Sequence, residues 1–167
     1  MTEQEFINLY KNNLDKVFRF IYFRVDSTET AQDLTGQSFL KVWQNDNNSR
    51  IKNPQAFLFQ TARNQIIDFY RRKDKKPVSL EELAEKGEEI PQKSFVSQIE
   101  LTFEKENLKK ALQRIKPTYS EVIIWHYIDE LSIKEIADIL QKNENNVRVL
   151  LHRALENLKK EVTEEPR

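Results

Sequence analysis

Residues 131–158, LSIKEIADILQKNENNVRVLLHRALENL, set the reading of the whole chain. Ser132 with Glu135 three places on is a capping box, in which each side chain satisfies a backbone donor at a helix start. The helix it opens is short and ends near Leu140. Gln141 to Asn143 turn the chain, and Asn143 caps a further helix running to about Glu161. Counted from Ile133, the small Ala137 falls at the fifth place, where two crossing helices approach most closely. Leu140, Val147 and Leu150 fall at the eighth, fifteenth and eighteenth, the places that need apolar side chains to hold such a pair. This spacing is that of a helix-turn-helix. Val147, Leu150, Leu151, Ala154, Leu155 and Leu158 form the inward stripe of the second helix. Asn145, Asn146, Arg148, Val149, His152 and Arg153 form its outward face near the N-terminus. Arg and Asn suit base edges and phosphates in a major groove, and a helix N-terminus favours phosphate oxygens. The same pattern also fits a helical scaffold pair with no nucleic-acid role.

Working outward, every long segment reads as helix, so the fold class is all-α. Before the helix-turn-helix, Leu101, Leu108, Ala111, Leu112 and Ile115 line one helix that stops at Lys116-Pro117. Ser120 is placed to cap a second, apolar one from Glu121 to Ile128. Together these make a four-helix C-terminal module over residues 99–161. At the other end, Thr2 with Glu5 opens a helix bearing Phe6, Leu9, Tyr10, Leu14, Val17, Phe18, Ile21 and Val25. A second runs from about Ser27 or Thr28 to Gln44, with Ala31, Leu34, Ser38 and Val42 inward. Asn45 to Arg50 read as a polar loop. Asn53-Pro54 starts a third helix, Asn as cap and Pro at the first helical position. Residues 1–76 thus form a three-helix N-terminal module. Residues 77–98 are acidic and weakly apolar, the composition of a flexible linker.

Composition removes most enzyme chemistries. The 167 residues include no cysteine, two histidines and two glycines. They offer no thiolate metal site or nucleophile and no phosphate-cradling glycine loop, so neither metal nor cofactor is expected. MTEQEF lacks the features of a secretion signal, and no apolar run is long enough to span a bilayer, which points to the cytoplasm. His126 reads as a packed residue rather than a ligand. Charge is balanced overall, 27 basic against 27 acidic residues, but unevenly spread. Residues 1–76 carry a net +4 and residues 77–105 a net −4. Local basic stretches in a neutral chain suit a protein that meets a polyanion at defined places. Closure of the acidic linker over the basic Arg63–Lys76 stretch should be shallow and sensitive to salt.

Two blocks outside the linker carry a resemblance. AQDLTGQSFLKVW (31–43) and NPQAFLFQTARNQIIDFYRRK (53–73) resemble the core-binding and promoter-melting regions of a bacterial sigma factor. EVIIWHYIDELSIKEIADILQKNENNVRVLLHRALENL (121–158) resembles the sigma domain that reads the upstream promoter element. Their order and distance are similar to those of the small extracytoplasmic-function group.

The resemblance implies a non-enzymatic subunit that binds core RNA polymerase, duplex promoter DNA and its melted single strand, with an anti-sigma factor as a candidate further partner. It implies polymerase docking by Asp33, Leu34, Gln37 and Lys41, with Leu34 and Leu40 half exposed. It implies minus-ten contacts by Asn45, Asn47, Asn48, Arg63, Asn64, Asp68, Arg71 and Arg72, in which the loop captures an unpaired base. Tyr70 stands either as a stacking surface or as core. The outward face Asn145–Arg153 would meet the minus-thirty-five element. Departures are Thr35-Gly36-Gln37 for a Val-Gln-Glu-like stretch, Gln141 for the turn glycine, and Val149-Leu150 for Ser and Arg. Two other readings stay open: a stand-alone helix-turn-helix regulator using residues 99–161, and a sigma-like interaction protein whose DNA surfaces have lapsed.

Overall fold

The computed structural model describes residues 1–48, 50–75 and 103–164. The expected linker, residues 77–98, lies outside them, as does Leu101. Helix α1 spans Glu3–Tyr22, α2 Thr28–Asn48 and α3 Pro54–Lys75. The second group comprises α4 Phe103–Arg114, α5 Pro117–Ile123 with a π turn over Ile124–Ile128, α6 Ile133–Leu140 and α7 Glu144–Glu164.

Most helix starts follow from local chemistry. Thr2 Oγ1 accepts the Glu5 N–H at 3.1 Å, while the Thr2 N–H donates to Glu5 Oε2 at 2.8 Å. The Ser132/Glu135 box closes in the same way, at 3.0 Å in both directions. Asn53 Oδ1 accepts the Ala56 N–H at 3.1 Å and Asn143 Oδ1 the Asn146 N–H at 2.8 Å. A side-chain cap of this kind contributes ~1 kcal/mol.

Two boundaries differ from the sequence reading. Helix α2 runs on through Asn45 to Asn48, so the polar loop is shorter than Asn45–Arg50. The cause is Asp46, which is buried, accepts the Ile51 N–H at 3.1 Å and pairs with the Met1 ammonium, so the helix end is tied down rather than released. Helix α5 begins at Pro117, not after Ser120. Ser120 is buried inside the helix, where its hydroxyl donates to the Leu112 carbonyl and ties α5 to α4.

The two helix groups share a continuous apolar core. Trp125, on the π turn, is fully buried. Its ring lies 5.0 Å from that of Phe20 on α1 and 6.3 Å from that of Phe59 on α3. Around this aromatic centre Gln60 donates to the Ile139 carbonyl at 2.8 Å, Tyr22 to Glu106 Oε1 at 3.1 Å, and Lys109 Nζ sits 4.0 Å above the Tyr22 ring. The expected closure of the acidic linker over the Arg63–Lys76 stretch falls on residues outside those described. The contact between the two helix groups rests on a buried tryptophan and on ion pairs whose carboxylates are nearly inaccessible, and such pairs are screened much less by salt than exposed ones.

Candidate nucleic-acid interfaces

The helix-turn-helix is assembled as its spacing requires. Ala137, Val147, Leu151 and Ala154 are buried, and Leu140, Leu150, Leu155 and Leu158 are half-buried. Gln141, in place of the usual glycine, takes the left-handed conformation at φ 56°, and its N–H donates to the Ala137 carbonyl. Holding a non-glycine residue there costs ~1–2 kcal/mol, so the turn is formed against a local preference. Once α6 and α7 are packed, Asn145, Asn146, Arg148, Val149, His152 and Arg153 are all exposed on one face. Arg148 pairs loosely with Glu144 at 3.8 Å, and His152 Nε2 lies 3.2 Å from Glu156 Oε1. Exposed pairs like these contribute ~1 kcal/mol at most and yield readily to a phosphate. Val149 is 43% exposed, an apolar group of the type that meets a thymine methyl.

Helix α3 presents a different picture. Asn64, Arg71 and Arg72 are exposed, Asp68 is half-exposed, and Arg71 lies 3.9 Å from Asp68. Arg63 keeps 35% of its side chain exposed and is tied across the helix groups through one edge of its guanidinium. Its Nε donates to Glu121 Oε2 of α5 at 2.6 Å. The same oxygen lies 3.9 Å from Arg24 Nη1. Tyr70 is half-buried beside Phe69, and its hydroxyl donates to the Arg24 carbonyl, which ties α3 to the turn after α1 rather than leaving the ring as a stacking platform. Asn45 is exposed on the last turns of α2 rather than in a loop, and the backbone of Asn47 and Asn48 is helical too. Beside this helix end, Asn12, Asn13, Lys16, Arg50, Lys52 and Gln55 line an open cleft between α1 and the start of α3.

On α2, Asp33, Gly36, Gln37, Leu40 and Lys41 form one exposed stripe at three- and four-residue steps. Leu40 is 52% exposed, an unusual setting for a large apolar side chain. Leu34, expected to be half exposed, is only 4% exposed. It belongs to the inward face with Ala31, Ser38 and Val42, because a residue one step from Asp33 is turned about 100° away on a helix. Nothing lies within 4 Å of a side chain built at Gly36, so no intramolecular packing requires the glycine.

The residues that sequence reasoning missed sit between the helix groups: Glu121, Asp129, Arg19 and Arg24. Asp129 Oδ1 accepts from Arg19 Nε at 2.8 Å, while its Oδ2 is buried with no partner among the described residues. Burial pushes the Asp129 carboxyl up to about 7, despite Arg19 and the charge of Lys16. Glu121 is likewise pushed above the usual carboxylate range by burial, against the pull of Arg63 and Arg24. A signal was available. Two carboxylates bracket the otherwise apolar stretch Val122–Ile128, which marks a helix whose charges are drawn toward a covered face. His126 is half-buried and its Nδ1 lies 2.8 Å from the Leu131 carbonyl, as a structural tie rather than a ligand. Among the described residues no cluster of side chains could hold a metal ion, and no helix is long and apolar enough to cross a membrane.

Comparison with known proteins agrees with this architecture. The model of Sigma-70 region 2 matches residues 9–76 and that of Sigma-70 region 4 matches residues 105–158, together well over half the chain. The ECF RNA polymerase sigma factor SigM of Bacillus subtilis is 28% identical over 159 residues, covering 95% of this chain and 94% of its own length. Among solved structures, CnrH in complex with the cytosolic domain of CnrY is 16% identical with a TM-score of 0.69, covering 99% of this chain and 92% of that one. The sigma factor RpoE in complex with the anti-sigma factor NepR from Bartonella quintana is 19% identical with a TM-score of 0.65, covering 98% of each chain. At these identities the two structures speak for the fold alone. With both sigma regions present in order, and a relative of the extracytoplasmic-function group matching nearly end to end, the chain belongs to the sigma-70 family and is an RNA polymerase sigma factor of the extracytoplasmic-function group.

Proposed function

We propose that this sigma factor divides its work among three surfaces. The exposed stripe of α2, through Asp33, Gln37 and Lys41 with Leu40 between them, docks core RNA polymerase. Asn64, Arg71 and Arg72 of α3, with Arg63 once it is released, engage the minus-ten element and its melted strand. The cleft beside the end of α2 takes the unpaired base. The outward face of α7 enters the major groove of the minus-thirty-five element. Polymerase supplies the chemistry, and this chain, working in the cytoplasm, supplies recognition and strand opening. An anti-sigma factor is a further partner of the kind seen with RpoE.

The observation that carries this reading is the α7 face: six polar, basic or small apolar side chains, all exposed, on a helix whose opposite side is locked into the core. A stand-alone regulator would share that face but would have no use for an exposed leucine among charges on α2. The test is reconstitution with core polymerase and mapping of transcript starts on promoter libraries. Transcripts from defined starts that vanish when Asp33, Gln37 and Lys41 are replaced by alanine are the expected result. Equal pull-down of core polymerase by parent and triple variant, with native circular dichroism in both, would overturn the docking assignment.

A further inference from the structure

Five charged groups line the seam between the helix groups, and they are arranged in two sets around Trp125. Glu121 faces Arg63 and Arg24 on one side, and Asp129 faces Arg19 on the other. Both carboxylates are almost wholly buried, at 2% and 1% exposure. Charges placed this way do more to select one register of closure than to strengthen it, since desolvation offsets much of the ionic attraction. Asp129 Oδ2 and Trp125 Nε1, buried with no hydrogen-bond partner among the described residues, point the same way. The seam is specific but not maximally stable, which suits a contact that must open.

Its position gives opening a consequence. The Glu121 carboxylate takes the Nε edge of the Arg63 guanidinium, and a phosphate oxygen would compete for that same donor. In addition, Gln60 of α3 is spent on the Ile139 carbonyl, and Asn53 at its start lies 3.5 Å from Asp138 of α6. The outward face of α7 is untouched by closure.

We infer that Glu121 and Asp129, through their hydrogen bonds with Arg63 and Arg19, form a polar latch by which the free chain folds its C-terminal helices over α3, withholding the Arg63 Nε from single-stranded DNA until the seam is opened. The latch itself is read from geometry; its consequence for DNA rests on the assignment of α3 proposed above.

The chain has no cysteine, so Lys41→Cys and Lys142→Cys give a clean label pair for distance measurement. Four proteins are compared: the labelled parent, Arg19→Glu, Asp129→Arg, and the swapped pair R19E/D129R. The parent should give one narrow distance, each single variant a longer and broader one, and the swap a return to the narrow distance. A merely unfolded chain could not show that return. Binding of a short fluorescent single-stranded oligonucleotide of mixed sequence is then measured for the parent and Arg19→Glu. If closure holds most molecules in a binding-incompetent form, opening raises apparent affinity about fivefold to tenfold. Arg19→Glu makes the chain more acidic, so charge alone predicts the opposite. Unchanged distances in both single variants would overturn the latch. Opened distances with no gain in oligonucleotide affinity, and no further loss on Arg63→Ala, would leave the latch standing but overturn its role in withholding α3 from DNA.

Discussion

Helices α3 and α7 both carry the arginines and asparagines proposed to meet promoter DNA, yet the chain treats them in opposite ways. Helix α7 keeps its polar face exposed, and there Arg148 and His152 pair with exposed neighbours on the same helix. Helix α3 is partly covered by α5 and α6, and its Arg63 is held by a carboxylate from the other end of the chain. A face that is built identically in sequence terms can thus be available or withheld according to what packs across it. On the proposed assignments, the free face can search duplex DNA without rearrangement, and the held face needs the seam to part, which suits contacts with a strand that exists only after melting.

The largest blow to this contrast is Trp125→Ala. Loss of a fully buried tryptophan typically costs ~3–5 kcal/mol, and here the cavity opens between the two helix groups. Urea unfolding should show that loss, and the label distance between positions 41 and 142 should broaden. An unchanged distance would mean that the polar contacts alone hold the seam.

A pH series sharpens the same point through Asp129. Its carboxyl rises from 3.8 to about 7 in the folded chain, so the closed form binds a proton that the unfolded chain releases. The stability this supplies is complete below about pH 4 and is lost as pH climbs to about 7, a swing of up to about 4 kcal/mol. Glu121, shifted in the same direction, adds to the trend. Urea midpoints at pH 5 and pH 8 should therefore differ more for the parent than for Asp129→Asn, which cannot titrate. Equal differences in the two proteins would show that this carboxylate is solvated.

On the free side, Arg148→Ala and Arg153→Ala should each weaken binding to the upstream element. A lost base contact costs ~1–3 kcal/mol and relaxes specificity at one position. A lost phosphate contact weakens all sequences alike and flattens the salt dependence. Because α7 is clear of the seam, these losses should be the same in the parent and in Arg19→Glu. A loss confined to one of them would mean that closure reaches α7 after all.

The smallest effect belongs to α2, whose stripe is exposed among the described residues and is proposed to dock polymerase rather than DNA. Gly36→Ala adds a methyl group into open space in a helix interior and should stabilise the chain by ~1 kcal/mol. For a protein of this size that is a rise of a few degrees in Tm. If the same variant also loses affinity for core polymerase, the absent side chain serves a close approach by the partner.

Much of this protein is legible residue by residue along the chain. Capping boxes at Thr2 and Ser132, the asparagine caps at 53 and 143, the apolar spacing of α1 and the helix-turn-helix places all depend on neighbours within a few positions, where backbone geometry leaves little freedom. The outward face of α7 follows from the same periodicity. Tertiary packing settled what spacing could not. Leu34 turned inward because α2 is rotated to bury it with Ala31, and Asp46 prolonged α2 because Ile51 folds back to meet it. The resemblance implies that Arg63 meets DNA, and nothing in the local sequence foretells that its Nε also donates to Glu121, fifty-eight residues away. Charged side chains carry no local mark of their partner: the attraction between them acts through space, and only the folding of one helix group onto the other brings those two charges together.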